Sequence, residues 1–275
     1  MTDHQSPGRP MARLSLKWSM IEEPLGILEK FQLVKDLGFD GVELDAPNDL
    51  PVAEIIAARD KTGLAIPGVV NSLHWKYPLT HPDPAIRQAC IDATITALED
   101  ARRYGADSVL LVPGVVNADT SYKAAYERAV EGIGKLLPHV DATGVSLALE
   151  NVWNDFLLSP LEAARLVDEF DHPLVGWYFD VGNVLRYGRP AHWIEALGSR
   201  IRKVDIKEFS LTKMNVEGPW KGFEVELGEG DCDWPAVNRA LSAAGYSGWA
   251  SAEVPGGDRQ RLADIKARLD RVAAA

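Results

Sequence analysis

The sequence predicts an α/β fold, a single (β/α)8 TIM barrel, on three observations. Short apolar runs alternate with amphipathic helical stretches from one end to the other, a pattern that pairs strands in parallel through right-handed crossovers. Eight such strand–helix units can be read, and a chain of 275 residues suits one closed barrel. No Gly-rich phosphate turn follows the first strand, which counts against an open doubly wound sheet.

The first unit is a strand over 14–21 and a helix over about 25–37. The second pairs a strand at 41–44 with a helix at 52–62. A third strand, 65–70, runs into a loop carrying His74 and Trp75, then a long helix, 84–104, with Asp92, Glu99 and Asp100 on its wet side. The fourth unit is 108–112 and 121–143, the fifth 146–150 and 159–170, the sixth 175–180 and 190–197. A seventh strand, 201–207, is separated by a long loop, 208–231, from a helix at 234–244. Strand 248–253 and helix 258–274 close the series. Residues 1–12 read as a flexible leader and 13–275 as one catalytic domain, because no Pro/Ser-rich linker divides them.

Hydrophobic content of 46% supplies a large core, yet no run approaches the ~18 apolar residues of a membrane span. The N-terminus lacks a secretory apolar stretch. Two cysteines, Cys90 and Cys232, make no disulfide framework, so a reducing, cytoplasmic setting is expected. A net charge of −11 argues against nucleic acid and anionic membrane, which need a basic footprint. The expected partner is a small molecule, and a homodimer through exposed helices or loops is the favoured assembly.

Glu150, Asp180, Asp205 and Glu253 stand at or near the ends of the last four predicted strands. Buried carboxylates are costly unless paired or bound to a metal, so four in register point to one ion. Side chains alternate across a strand. With Glu150 inward, Ala148 and Ser146 share its face while Leu147 and Leu149 meet the helices. With Asp205 inward, Lys203 and Lys207 join it, and with Glu43 inward, Val42 and Leu44 face out. The acids then converge at the C-terminal mouth, where barrels of this kind place their active sites. Oxygen-only ligation suits Mn2+ or Mg2+, with Co2+ or Zn2+ as alternatives. Glu150 and Glu253 are also the expected acid/base pair: two carboxylates flanking a sugar can take a proton from carbon and return one, while the ion stabilises the enediolate.

Candidate substrate contacts are Trp18, Glu43, His74, Asn151, Trp153, Asn183, Lys207 and Trp220. His74 could orient a hydroxyl or simply bond its own loop. Trp18, Trp153 and Trp220 could wall a sugar or pack ordinarily. Asn151 and Asn183 follow two of the acids and could support them, touch substrate or cap a loop. Lys207 could hold a substrate oxygen or a phosphate, and neutralising the acids is the favoured role. The loop 208–231, too long for a routine turn, reads as a lid.

GFDGVELD, LALENVW, FDVGN, KVDIKEF, LGEGDCDWPAV and AEVPGGD, in this order, resemble the sugar phosphate isomerase/epimerase superfamily of xylose isomerase-like barrels. The resemblance covers nearly the whole chain from about Leu14. It implies that Glu150, Asp180, residue 205 and Glu253 are metal ligands and that the two glutamates are the acid/base pair of the epimerase branch. Two departures stand out: many members carry histidine where this chain has Asp205, and often histidine where it has Asn183. The expectation is therefore a metal-dependent sugar or sugar phosphate isomerase/epimerase. The alternative is a lyase or hydratase on a keto-sugar or keto-inositol with the same ion and base. A DNA-repair endonuclease would need a histidine-rich metal cluster and a basic face, and a non-catalytic scaffold would not need the four acids.

Overall fold

The computed structural model describes residues 10–275. Eight parallel strands close a barrel in chain order: β1 (Met11–Lys17), β2 (Gly41–Ala46), β3 (Gly68–Asn71), β4 (Ser108–Leu111), β5 (Ser146–Glu150), β6 (Val175–Asp180), β7 (Ile201–Ile206) and β8 (Gly248–Ala252). β8 pairs back onto β1, with Ser251 opposite Ser15, so no strand edge stays open. Around it run α1 (Ile27–Asp36), α2 (Val52–Thr62), α3 (Pro84–Tyr104), α4 (Tyr122–Thr143), α5 (Pro160–Asp168), α6 (Pro190–Leu197), α7 (Leu211–Glu217), α8 (Trp234–Ala243) and α9 (Arg259–Ala273).

Local chemistry sets the boundaries. Asp83 and Ser159 each cap a helix whose first residue is proline, where the missing N–H costs nothing. α2 and α3 end on Gly63 and Gly105 at φ 66° and 74°, a left-handed cap that glycine adopts without strain.

Several boundaries differ from the sequence expectation. β1 ends at Lys17, and Trp18–Met20 form a 3-10 turn. Met11 and Ala12 already belong to β1, and the rest of the expected leader, through residue 9, lies outside the described residues. β3 starts at Gly68 because Pro67 has no N–H for the ladder. The loop after β7 is not structureless: Ser210 Oγ accepts from Lys213 N and caps α7, and Pro219–Phe223 add a 3-10 turn. Asp100, expected in solvent, is buried and held 2.9 Å from Arg103 Nη1, one helical turn away, which offsets its desolvation.

The strand parity is as expected. Leu147, Leu149, Val42 and Leu44 enter the large core between strands and helices, whereas Leu110, Ala148 and Tyr178 form a separate small cluster inside the barrel with Val70. The remaining interior is polar. Ser15 Oγ meets Ser251 Oγ, and above them Tyr178 Oη donates to Glu43 Oε1 at 2.6 Å. Lys203 bonds the Pro67 carbonyl and lies 2.9 Å from Asp107 and 3.7 Å from Glu43. A Cβ on Gly68 would come within 2.9 Å of Glu43 Oε1 and Lys203 Nζ, so only glycine leaves room for this pair. Such an interior is held by paired charge, with apolar filling confined to one small layer.

Candidate active site

Glu150 and Asp180 end β5 and β6, Asp205 is the fifth residue of β7, and Glu253 directly follows β8. Each offers one oxygen such that all four lie within 4.8 Å of one another. Glu150, Asp180 and Asp205 are buried, while the Glu253 side chain is 38% exposed toward the cavity above.

Two lysines share this floor. Lys17 Nζ sits 2.7 Å from Glu43 Oε2 and 2.9 Å from Asp205 Oδ1. Lys207 Nζ sits 2.9 Å from Asp180 Oδ2 and 3.3 Å from Glu253 Oε2. Lys17 donates to Glu43 Oε2, but toward the four converging acids the lysines supply charge without aligned hydrogen bonds: Asp180 Oδ2, both Asp205 oxygens and Glu253 Oε2 are buried without a hydrogen-bond partner. Glu43 takes up part of the Lys17 charge, so the four carboxylates beside Lys17 and Lys207 leave a formal negative excess that a divalent cation would offset. Burial pushes the Glu150 carboxyl well above the usual range, with Glu253 and Asp180 adding to it. Burial does the same to Asp205 against the pull of Lys17. For Glu253 burial also acts upward, but Lys207 and Lys17 outweigh it and hold the group at about 2. Orphaned hard oxygens, residual negative charge and an all-carboxylate donor set fit a hard divalent ion.

Over this floor opens a cavity of about 660 Å³. His74 lines it, and its Nδ1 accepts from Val112 N at 3.4 Å, which leaves Nε2–H free to donate. Burial lowers the His74 pKa to about 4 against the pull of Glu253, so the ring is neutral at ordinary pH. One wall is aromatic: Trp153 lies 4.7 Å from Trp220 and 4.9 Å from Phe223, centroid to centroid. Trp220 and Phe223 come from the 3-10 turn of the β7–α8 loop. Trp75, 53% exposed, also lines the cavity.

Residues 31–274 match the family described as the xylose isomerase-like TIM barrel. The chain belongs to that family. A putative L-ribulose-5-phosphate 3-epimerase, SgbU, of Escherichia coli is 25% identical over 232 residues, 80% of each chain. The L-ribulose-5-phosphate 3-epimerase UlaE of an Escherichia coli O1:K1 strain is 26% identical over 263 residues, 88% of this chain and 89% of its own. Among solved structures, the 3-keto-D-glucoside 4-epimerase YcjR of E. coli superposes with a TM-score of 0.79 at 18% identity, covering 96% of this chain and 99% of its own. D-Psicose 3-epimerase with D-tagatose, from Clostridium cellulolyticum, gives 0.77 at 20%, covering 95% and 98%. These likenesses carry the fold, and the relatives are sugar epimerases of the same superfamily.

In this xylose isomerase-like barrel most expected site residues line the cavity; Asp180 and Asp205 lie fully buried in the floor beneath it, and Trp18 and Asn151 point elsewhere. Trp18 sits in the 3-10 turn instead of on the strand, packs 6.0 Å from Phe31 and lies under Lys30. Asn151 is turned into the wall, where it donates to Asp180 O and accepts from Trp177 Nε1 and Asp180 N. Its contribution is to fix the Asp180 backbone. Asn183 lines the cavity and also anchors it, donating to Asn151 O while its backbone N–H donates to Asp180 Oδ1. Glu43 reaches the cavity but serves as the counter-charge of Lys17, and Lys207 neutralises acids, as favoured from the sequence.

Lys17 and Glu208 were not singled out from the sequence. The alternation Arg13, Ser15, Lys17 against Leu14 and Leu16 carried the signal for Lys17. For Glu208 no local signal existed. Its buried carboxylate accepts from Gly228 N at 2.7 Å, Trp234 Nε1 at 2.8 Å, and Phe209 and Cys232 N–H groups. It thereby folds the β7–α8 loop over the mouth.

Proposed function

We propose that this barrel is a divalent-metal-dependent sugar epimerase or isomerase, working by transfer of a carbon-bound proton beside a carbonyl. The observation that carries the reading is the convergence of Glu150, Asp180, Asp205 and Glu253 beneath the cavity at the barrel mouth. A divalent ion held by these four would polarise neighbouring substrate oxygens and stabilise an enediolate.

The remaining work falls to side chains. Glu150 and Glu253 approach the cavity from β5 and from the end of β8, separate positions on the barrel rim. One removes the proton from carbon and the other returns it, so return to the opposite face inverts the centre and return to the neighbouring carbon isomerises. Neutral His74 donates Nε2–H to a substrate oxygen. Lys207 holds Asp180 and Glu253 in place and offers positive charge beside the developing oxyanion. Trp153, Trp220 and Phe223 keep water from the intermediate.

The test is solvent deuterium incorporation by the Mn2+-loaded protein across a panel of ketoses and 3-keto-sugars. An isobaric product with deuterium at one carbon supports the reading. Net loss of water selects the lyase alternative. Glu150→Gln and Glu253→Gln should each abolish exchange while the fold is kept, and unchanged exchange in both would remove the mechanism.

A further inference from the structure

Four lysines near the mouth could in principle clamp a phosphate: Lys203, Lys207, Lys213 and Lys221. The structure commits all four elsewhere. Lys203 is buried inside the barrel against Pro67 O and Asp107. Lys207 is between Asp180 and Glu253. Lys213 donates to the Glu224 carbonyl and Lys221 lies 2.6 Å from Glu224 Oε1, and neither lines the cavity. The other cavity-lining cation, Lys17, is spent on Glu43 and Asp205. Among the described residues, every lysine or arginine that lines the cavity is therefore already paired with carboxylates.

The N-termini of α9 and α7, the kind of backbone alternative that phosphate uses, are closed as well. At α9, Asp258 accepts from Arg261 N and Glu23 accepts from Arg259 N. At α7, Asp231 accepts from Leu211 N and Ser210 from Lys213 N. The outer cavity adds Asp45 and Glu224. A phosphate ester, about −1.5 to −2 at neutral pH, would meet carboxylates and capped amides. What the outer cavity does offer is aromatic surface: Trp220 and Trp75 are 69% and 53% exposed, and Trp153 and Phe223 stand behind Trp220. A cavity of about 660 Å³ lies in the range that takes drug-sized ligands, and a lone sugar ring at the acid floor leaves its outer part unfilled.

Resting on the proposed sugar chemistry, we infer that the substrate is an uncharged glycoside, not a sugar phosphate, with its non-reacting ring or aglycone stacked between the Trp220 wall and Trp75. This departs from the phosphorylated substrates named for the curated relatives. Stacking of C–H faces on tryptophan supplies binding energy remote from the reacting carbon, which can be spent on orienting it.

The test is tryptophan fluorescence titration of the Mn2+-loaded protein with three probes: a 3-keto-glucoside, the corresponding free 3-keto-sugar, and L-ribulose 5-phosphate. Deuterium exchange is followed in parallel. The glycoside should bind at least about tenfold more tightly than either other probe, a difference of roughly 1.4 kcal/mol. Trp220→Ala should weaken glycoside binding several-fold more than free-sugar binding, so that most of that advantage is lost. Preference for the phosphate, equal binding of all three, or binding of none overturns the inference. Tight glycoside binding without exchange leaves it standing and defeats the proposed reaction instead.

Discussion

Lys17 Nζ lies 2.9 Å from Asp205 Oδ1, joining β1 to β7 through a buried ion pair at the floor of the acid cage. Asp205 is one of the two departures from the superfamily pattern, in which histidine is common at that position. A carboxylate there adds a negative charge that histidine would not, and Lys17 supplies the compensating positive one. Burial alone would lower the Lys17 pKa, but Asp205, Glu43 and Glu253 raise it well above its ordinary value, so it stays charged.

Removing that charge strands its partners. Lys17→Met should destabilise the metal-free protein by about 3–5 kcal/mol, the usual result of breaking a buried pair from one side. The urea midpoint measures it. Lys17→Met combined with Glu43→Gln should recover part of the loss. An unshifted midpoint in the single variant would show that the pair carries no such weight.

Glu208 offers a separate test, because its carboxylate gathers three donors of the β7–α8 loop and Trp234 Nε1 at the start of α8. Glu208→Ala leaves Trp234 Nε1 and three backbone N–H groups without that acceptor. Hydrogen bonds to a charged group are worth about 1.5–3 kcal/mol each, so the loop, and with it Trp220 and Phe223, should loosen. Limited proteolysis should cut within 208–231 in the variant far faster than in the parent, and kcat should fall at temperatures well below the variant's melting transition. Equal cleavage rates would contradict the role.

His74 sets a pH dependence. Its ordinary pKa of 6.5 falls to about 4 in the folded chain because burial disfavours the charged ring. Between those values the unfolded chain binds the proton and the folded one does not. Stability from this group is therefore full above about pH 6.5 and is lost as pH falls toward 4, on the order of 3 kcal/mol in total. The acid cage titrates too, so the readout is a difference. Going from about pH 7.5 to about pH 4.5 in chelator, the parent should lose about 2–3 kcal/mol relative to His74→Gln. A pH-independent difference would mean that His74 is solvated.

Much of this arrangement could be read in the chain before any coordinates. β5, β6, α2, α3 and α6 fall where periodicity and capping residues put them, because the outward face of each inner strand is continuously apolar and each helix start carries proline or a capping side chain. Parity then put Glu150, Asp205 and Glu43 together on the inner face. What escaped detection depends on long-range partners. β1 read as starting later, at residue 14, because Ala12 and Arg13 are exposed in the fold and give no sign of a buried strand. Asn151 looked like a substrate contact because nothing in LALENVW reveals that Trp177 and Asp180, 26 and 29 residues on, consume its side chain. The helix α7 escaped because a 7-residue turn of chain carries too little periodicity to stand out from a glycine-rich loop.

Metal linkage follows from the cage. A divalent ion that binds only the folded state stabilises it by about 2.7 kcal/mol at a hundredfold excess over Kd. Mn2+ should therefore raise the melting temperature of chelator-treated protein. In Asp180→Asn or Asp205→Asn the shift should shrink, with affinity lower by roughly tenfold or more, because one hard anionic ligand is replaced by a neutral amide. Equal shifts in parent and variants would place the ion elsewhere.

The most direct measurement is an anomalous difference map from a crystal of the protein soaked in Mn2+. The account predicts one strong peak among the carboxylates of Glu150, Asp180, Asp205 and Glu253, with Lys17 and Lys207 flanking it. No peak there at saturating Mn2+, with both lysines still seated on the acids, would contradict it.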